Sequence, residues 1–200
     1  MRLAFIDTET TGLTPSIHDL IEFAVILEED GVRLDTFRCK IKPLRIDLAE
    51  PAALRANKYT PEAWRFAMTL EEAVPIIASL LKGCVLVGHN VSFDEAFLVE
   101  ALKRAQVPGK IPHRKIDTVT LAYEHLTPLG LKSTALDAVR EFLGWSKEDS
   151  HTALQDAEDS RNLYHLCCRM SPLSRLRLRA SLAWRRWKRS KAPRGGAAPQ

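Results

Sequence analysis

Apolar residues in the first forty positions come in strand-length runs. Positions 3–6, 20–27 and 33–41, the last following the turn signal Glu29-Asp30-Gly31, predict three strands in a meander. Past position 66 the pattern changes to helical periods separated by short apolar stretches. Capping boxes at Thr69-x-x-Glu72, Ser92-x-x-Glu95 and Thr152-x-x-Gln155 predict helix starts. The continuous apolar run 84–87 predicts a buried strand, 115–117 a second short one, and the spacing predicts helices over 133–143 and 152–168. The stretch 43–66, with Pro43, Pro51 and Pro61, is long for a loop and is expected to hold short helices. Strands first and alternating strand and helix afterwards favour an α/β domain, a mixed sheet with helices on its faces.

The composition supports one globular domain with a full core: 200 residues, 46% hydrophobic and 27% charged. No apolar run approaches the roughly 20 residues that span a bilayer, and the run after Met1 is too short for a secretory signal. Cys39, Cys84, Cys167 and Cys168 form no CxxC pair, which points to a reduced, cytoplasmic compartment without structural zinc. Charge divides the chain sharply. Residues 1–159 carry 18 basic and 25 acidic side chains, a net −7, whereas residues 160–200 carry 11 basic and no acidic ones. A globular domain over 1–170 and a basic Leu/Trp/Arg-rich tail over 171–200, partly disordered, are therefore expected. A nucleic-acid site in so acidic a body requires metal ions.

Three clusters can carry chemistry. In Phe5-Ile6-Asp7-Thr8-Glu9-Thr10-Thr11-Gly12 an apolar strand ends in two carboxylates one residue apart; such side chains share a strand face, about 6.6 Å apart, and suit a hard divalent cation. In Gly88-His89-Asn90-Val91-Ser92-Phe93-Asp94 the aspartate falls in a first helical turn, where the helix dipole keeps it ionised. In Ser150-His151-Thr152-Ala153-Leu154-Gln155-Asp156 the histidine precedes the cap and the aspartate follows it, so an imidazole can approach a metal that Asp156 ligates.

In order, Asp7-x-Glu9, Asn90-x-x-x-Asp94 and His151-x-x-x-x-Asp156 resemble the three motifs of the DEDDh family of 3′-to-5′ exonucleases, most closely its proofreading branch, typified by the epsilon subunits of bacterial DNA polymerase III. The resemblance covers residues 1–168, which makes 1–170 the expected exonuclease domain, and implies a ribonuclease-H-like mixed five-stranded sheet flanked by helices, with an antiparallel second strand. It implies two divalent cations, Mg2+ or Mn2+, held by Asp7, Glu9, Asp94 and Asp156, with His151 as general base and release of nucleoside 5′-monophosphates. Thr10, Leu13, Asn90 and Phe93 are implied near the terminal nucleotide. The chain departs from the family at Asn57-Lys58-Tyr59, where relatives often carry a His-Gly-Ile sequence. Single-stranded DNA is the expected substrate, with RNA trimming by the same residues the alternative; a binding module recruited through the tail is a second class of function. The tail itself has three readings: a nucleic-acid backbone, a protein partner such as a polymerase, or an anionic membrane surface.

Overall fold

Both sides of one strand are covered, and this shapes the molecule. In β1 (Arg2–Thr10), Ala4 and Ile6 point into one apolar cluster, while Leu3 and Phe5 point into another on the opposite face. β1 pairs antiparallel with β2 (Leu20–Glu29), which pairs antiparallel with β3 (Val32–Lys40). On its other side β1 pairs parallel with β4 (Val85–Gly88), and β4 with β5 (Lys115–Asp117), giving the order β3-β2-β1-β4-β5. This is the mixed five-stranded sheet the sequence implies. The computed structural model describes residues 1–146 and 152–191.

The helices among the described residues are α1 (Pro51–Ala56), α2 (Leu70–Leu81), α3 (Val91–Arg104), α4 (Thr118–Leu126), α5 (Leu136–Leu143), α6 (Ala153–Cys168) and α7 (Pro172–Lys191). α2 and α3 bury Leu70, Val74, Ile77, Leu98 and Ala101 against the Ala4/Ile6 side. α6 closes the other side, where the small Ala157 lets it approach Phe5 and Val87. A third cluster joins α4, α5 and α6 through Leu126, Val139 and Leu163, and Leu178 and Leu182 of α7 dock there. No helix among the described residues is long and apolar enough to cross a membrane.

Local expectations hold unevenly. Thr69 and Glu72 form the expected capping box, with Glu72 N donating to Thr69 Oγ1 at 3.3 Å and Thr69 N to Glu72 Oε2 at 2.8 Å. The other two boxes do not form. α3 begins at Val91 behind a left-handed Asn90 (φ 68°), which puts Ser92 inside the helix and leaves Glu95 to pair with Lys115. Thr152 is the N-cap of α6 without a side-chain capping bond. Gln155 reaches forward to Asp159 at 3.1 Å, and the Glu22 carboxylate accepts from the Ala153 backbone, so the helix start is capped from β2. Of the adjacent cysteines on α6 only Cys167 is buried; Cys168 is exposed.

Candidate active site

Asp7 and Glu9 continue the face that begins with Leu3 and Phe5, so apolar side chains give way to carboxylates where β1 emerges from beneath α6. The β2 partners are Ala24 opposite Asp7 and Glu22 opposite Glu9. α6 brings Asp156 in its first turn to the same place. One carboxylate oxygen from each of Asp7, Glu9 and Asp156 lies within 4.8 Å of the others. Three crowded carboxylates offering only hard oxygen donors fit a cation such as Mg2+ or Mn2+.

Asp94 is tied to this group from α3, the helix that follows β4. It is buried in the first turn of α3, and its Oδ1 accepts from Thr8 Oγ1 at 2.7 Å. Thr8 thus sits between the two acids of β1 and holds the acid of α3, a link that sequence spacing does not reveal.

Burial and mutual repulsion dominate the electrostatics. Desolvation, then the charges of Asp94, Asp156 and Glu9, raise Asp7 well above the usual carboxylate range. Glu9 is pushed up to about 8 by burial first and by Asp156, Glu22 and Asp94 after it. Asp94 is pushed up to about 7, also chiefly by burial, although the Thr8 hydrogen bonds and its own helix-turn amide pull the other way. The expectation that the helix dipole keeps Asp94 ionised is therefore corrected: loss of water outweighs the favourable helix end. Without a counter-cation the site resists carrying its full charge.

Arg140, absent from the sequence-derived site, reaches in from α5 and donates to Asp156 Oδ1 at 2.6 Å. Its signal in the sequence is present but misleading: Leu136, Val139, Arg140 and Leu143 follow the spacing of one apolar helix face, and the arginine occupies a buried position on it. Glu22 is likewise readable only as the one acid in the apolar run of β2.

The residues implied for the terminal nucleotide surround this centre unevenly. Thr10 is buried and donates to Gly12 O at 2.7 Å, so its hydroxyl shapes the turn. The turn packs so closely that a Cβ on Gly12 would lie 2.5 Å from His18 Nε2, and His18 Nδ1 accepts from Thr14 N at 2.9 Å. Leu13, at 72% exposure, is no core residue and is open to a ligand. Phe93 is half-buried, its ring 4.9 Å from that of Phe97. Asn90 is exposed, and its backbone N–H donates to Asp117 Oδ1 at 3.1 Å. Asn57 Nδ2 donates to Thr10 O at 2.8 Å, and Lys58 takes a left-handed φ of 51° at the position where the family often places glycine. His151 lies outside the described residues. His165 pairs with Glu28 at 2.9 Å, away from the carboxylate group.

Residues 4–164 match the exonuclease family RNase_T. The chain is 31% identical over 160 residues to the PolC-type DNA polymerase III of Thermotoga petrophila, covering 80% of this chain and 11% of that protein. It is 30% identical over 178 residues to the ribonuclease T of Shewanella sp. (strain W3-18-1), covering 80% of this chain and 78% of that one. Among solved structures it is similar to E. coli exonuclease I in complex with a dT13 oligonucleotide, with a TM-score of 0.70, 20% identity, and 82% and 41% of the respective chains covered.

Proposed function

Since the chain belongs to the exonuclease family, we propose that it is a metal-dependent 3′-to-5′ exonuclease that removes nucleoside 5′-monophosphates from single-stranded DNA ends, in proofreading or end trimming in the cytoplasm. The observation that carries this reading is the meeting of Asp7, Glu9 and Asp156 within 4.8 Å, with Asp94 tied in through Thr8.

Asp7, Glu9, Asp94 and Asp156 would hold two divalent cations, Mg2+ or Mn2+. Such a pair, when bound, supplies charge stabilisation to the attacking and leaving oxygens of an in-line displacement. The rest falls to the chain itself. Leu13 and Phe93 offer apolar, sequence-tolerant contact to the terminal bases, while Thr10 and Asn90 fix the turn and helix start between which the terminal nucleotide would lie. His151 takes the proton of the attacking water, an imidazole being suited to that transfer near neutral pH. The 3′ oxygen of the shortened strand leaves, and the released nucleotide keeps the phosphate at its 5′ position.

A second reading, trimming of RNA by the same residues, is favoured by the likeness to a ribonuclease T, 78% of whose length the chain covers. Outside the site, α7 carries eight basic and no acidic residues, and Leu173, Leu176 and Trp184 are exposed on it. We assign that helix to contact with the strand upstream of the 3′ end, where it would offset the negative body.

The test uses matched 5′-labelled DNA and RNA oligonucleotides with Mg2+ or Mn2+, and Asp7→Ala and His151→Ala variants. A ladder shortening from the 3′ end, abolished by EDTA and by both substitutions, is the expected result, and the faster substrate decides the sugar. Folded wild-type protein that leaves both oligonucleotides intact would overturn the reading in favour of a binding module.

A further inference from the structure

Arg140 is among the largest side chains fully withdrawn from water, at 1% exposure. A buried guanidinium is unfavourable unless its donors are met and its charge is paired. Here every nitrogen has its own carboxylate. Nε donates to Asp159 Oδ2 at 2.7 Å, Nη1 to Asp137 Oδ1 at 2.9 Å and Nη2 to Asp156 Oδ1 at 2.6 Å. Asp137 is on the arginine's own helix, whereas Asp156 and Asp159 are on α6. Asp159 is buried, and its other oxygen accepts from Gln155.

The buried Asp159 alone already balances the single positive charge and Asp137 adds a second carboxylate, yet the third arm reaches beyond them to a member of the acidic group. Stability is a weak explanation, because apolar residues of similar volume often replace buried ion networks without loss. Repulsion is a better one. Asp156 faces Asp7 and Glu9 with oxygens within 4.8 Å, and like charges so close in a half-buried place drive one another apart until a cation joins them.

We propose that Arg140 is a positioning residue that holds Asp156 against Asp7 and Glu9, so that the ligand set for a divalent cation is assembled before the cation arrives. This rests on the reading of that cluster as the metal site. Helix α5, which contributes none of the family's motif residues, becomes part of the site through this one side chain. A lysine cannot replace it: a single ammonium lacks the planar fork that meets three carboxylates from three directions.

The test titrates metal-free, full-length protein with Mn2+, following the free ion by electron paramagnetic resonance, and measures kcat and KM on a labelled oligonucleotide. Wild type is compared with Asp7→Asn, Arg140→Lys and the pair Arg140→Met/Asp159→Leu. The pair removes one positive and one negative charge together, which avoids stranding a buried ion. Both Arg140 variants are expected to bind Mn2+ and turn over about 10- to 100-fold more weakly, with KM for the oligonucleotide within about threefold of wild type. If the double variant does not fold, the lysine variant alone decides. A folded variant with wild-type Mn2+ affinity and kcat, changed only in melting temperature, would overturn the proposal and leave Arg140 as a clamp between two helices. Asp7→Asn isolates the underlying reading: if it binds Mn2+ as wild type does, the metal assignment itself fails, whatever Arg140 does.

Discussion

Removing divalent cations should make the stability of this protein fall as pH rises, the reverse of what most carboxylates do. A carboxyl whose native pKa exceeds its unfolded value binds its proton more tightly in the folded state, so raising the pH favours unfolding between the two values. Glu9 spans 4.5 to about 8 and Asp94 spans 3.8 to about 7, which sets the window from near pH 4 to near pH 8. The rise at Glu9 alone corresponds to about 5 kcal/mol. Its partly exposed edge returns some of that to water, and the neighbouring acids share the same repulsion, so about 3 kcal/mol is a fair total for the cluster. For a domain of this size that is about 10 °C in melting temperature.

His89 acts in the opposite sense. Burial lowers its pKa below 6.5, so its contribution improves as pH rises toward that value. The informative quantity is therefore the difference between melting temperatures with Mg2+ and with EDTA, followed by circular dichroism from about pH 5 to about pH 8. That difference should be small at the acid end and grow by about 10 °C toward the alkaline end. Glu9→Gln should remove most of the growth. A difference that is constant across the range, or largest in acid, would refute the reasoning, because repulsion among ionised carboxylates would then not be what the cation relieves.

Three further outcomes are expected. Gly12→Ala forces a Cβ onto the buried His18 ring and should lower stability by about 2 kcal/mol, read from urea unfolding; an unperturbed midpoint would mean the turn adjusts freely. Phe93→Ala together with Leu13→Ala should raise KM for short oligonucleotides more than it lowers kcat, and a pure kcat loss would remove these side chains from substrate contact. Replacing Arg177 and Arg179 of α7 with serine should flatten the salt dependence of DNA binding by about 0.7 in log–log slope for each phosphate no longer neutralised, and an unchanged slope would exclude the helix from the strand's path.

Much of this architecture is legible in the sequence because it follows from periodicity. Apolar runs in β1 and β2 predict the meander, and the apolar run 84–87 lies on a strand buried by helices on both faces. The carboxylates of β1 are legible for a related reason: a period of two puts Asp7 and Glu9 on one side whatever else happens. Contacts between elements are not. Thr8 bonding to Asp94, Glu22 capping α6 and Arg140 reaching Asp156 all join residues on different elements, and each reads locally as an ordinary strand or helix residue. The start of α3 differs from the expected one because a left-handed asparagine, not a hydroxyl cap, turns the chain there. For Asp94, helix position alone points to an ionised group, whereas its surroundings decide its charge.

The sheet's connectivity also sets the order in which the site can exist. Asp7 and Glu9 are placed by a meander of sequential strands, whose contacts are close in sequence, whereas Asp156 comes from the far end of the domain and must wait for α6. Pairings local in sequence form early and remote ones late, and during synthesis the first strands leave the ribosome long before α6 is made. A growing chain therefore displays Asp7 and Glu9, and later Asp94, with Asp156 still missing from the proposed metal-ligand set. On the proposed reading, hydrolytic competence would arrive only once α6 docks.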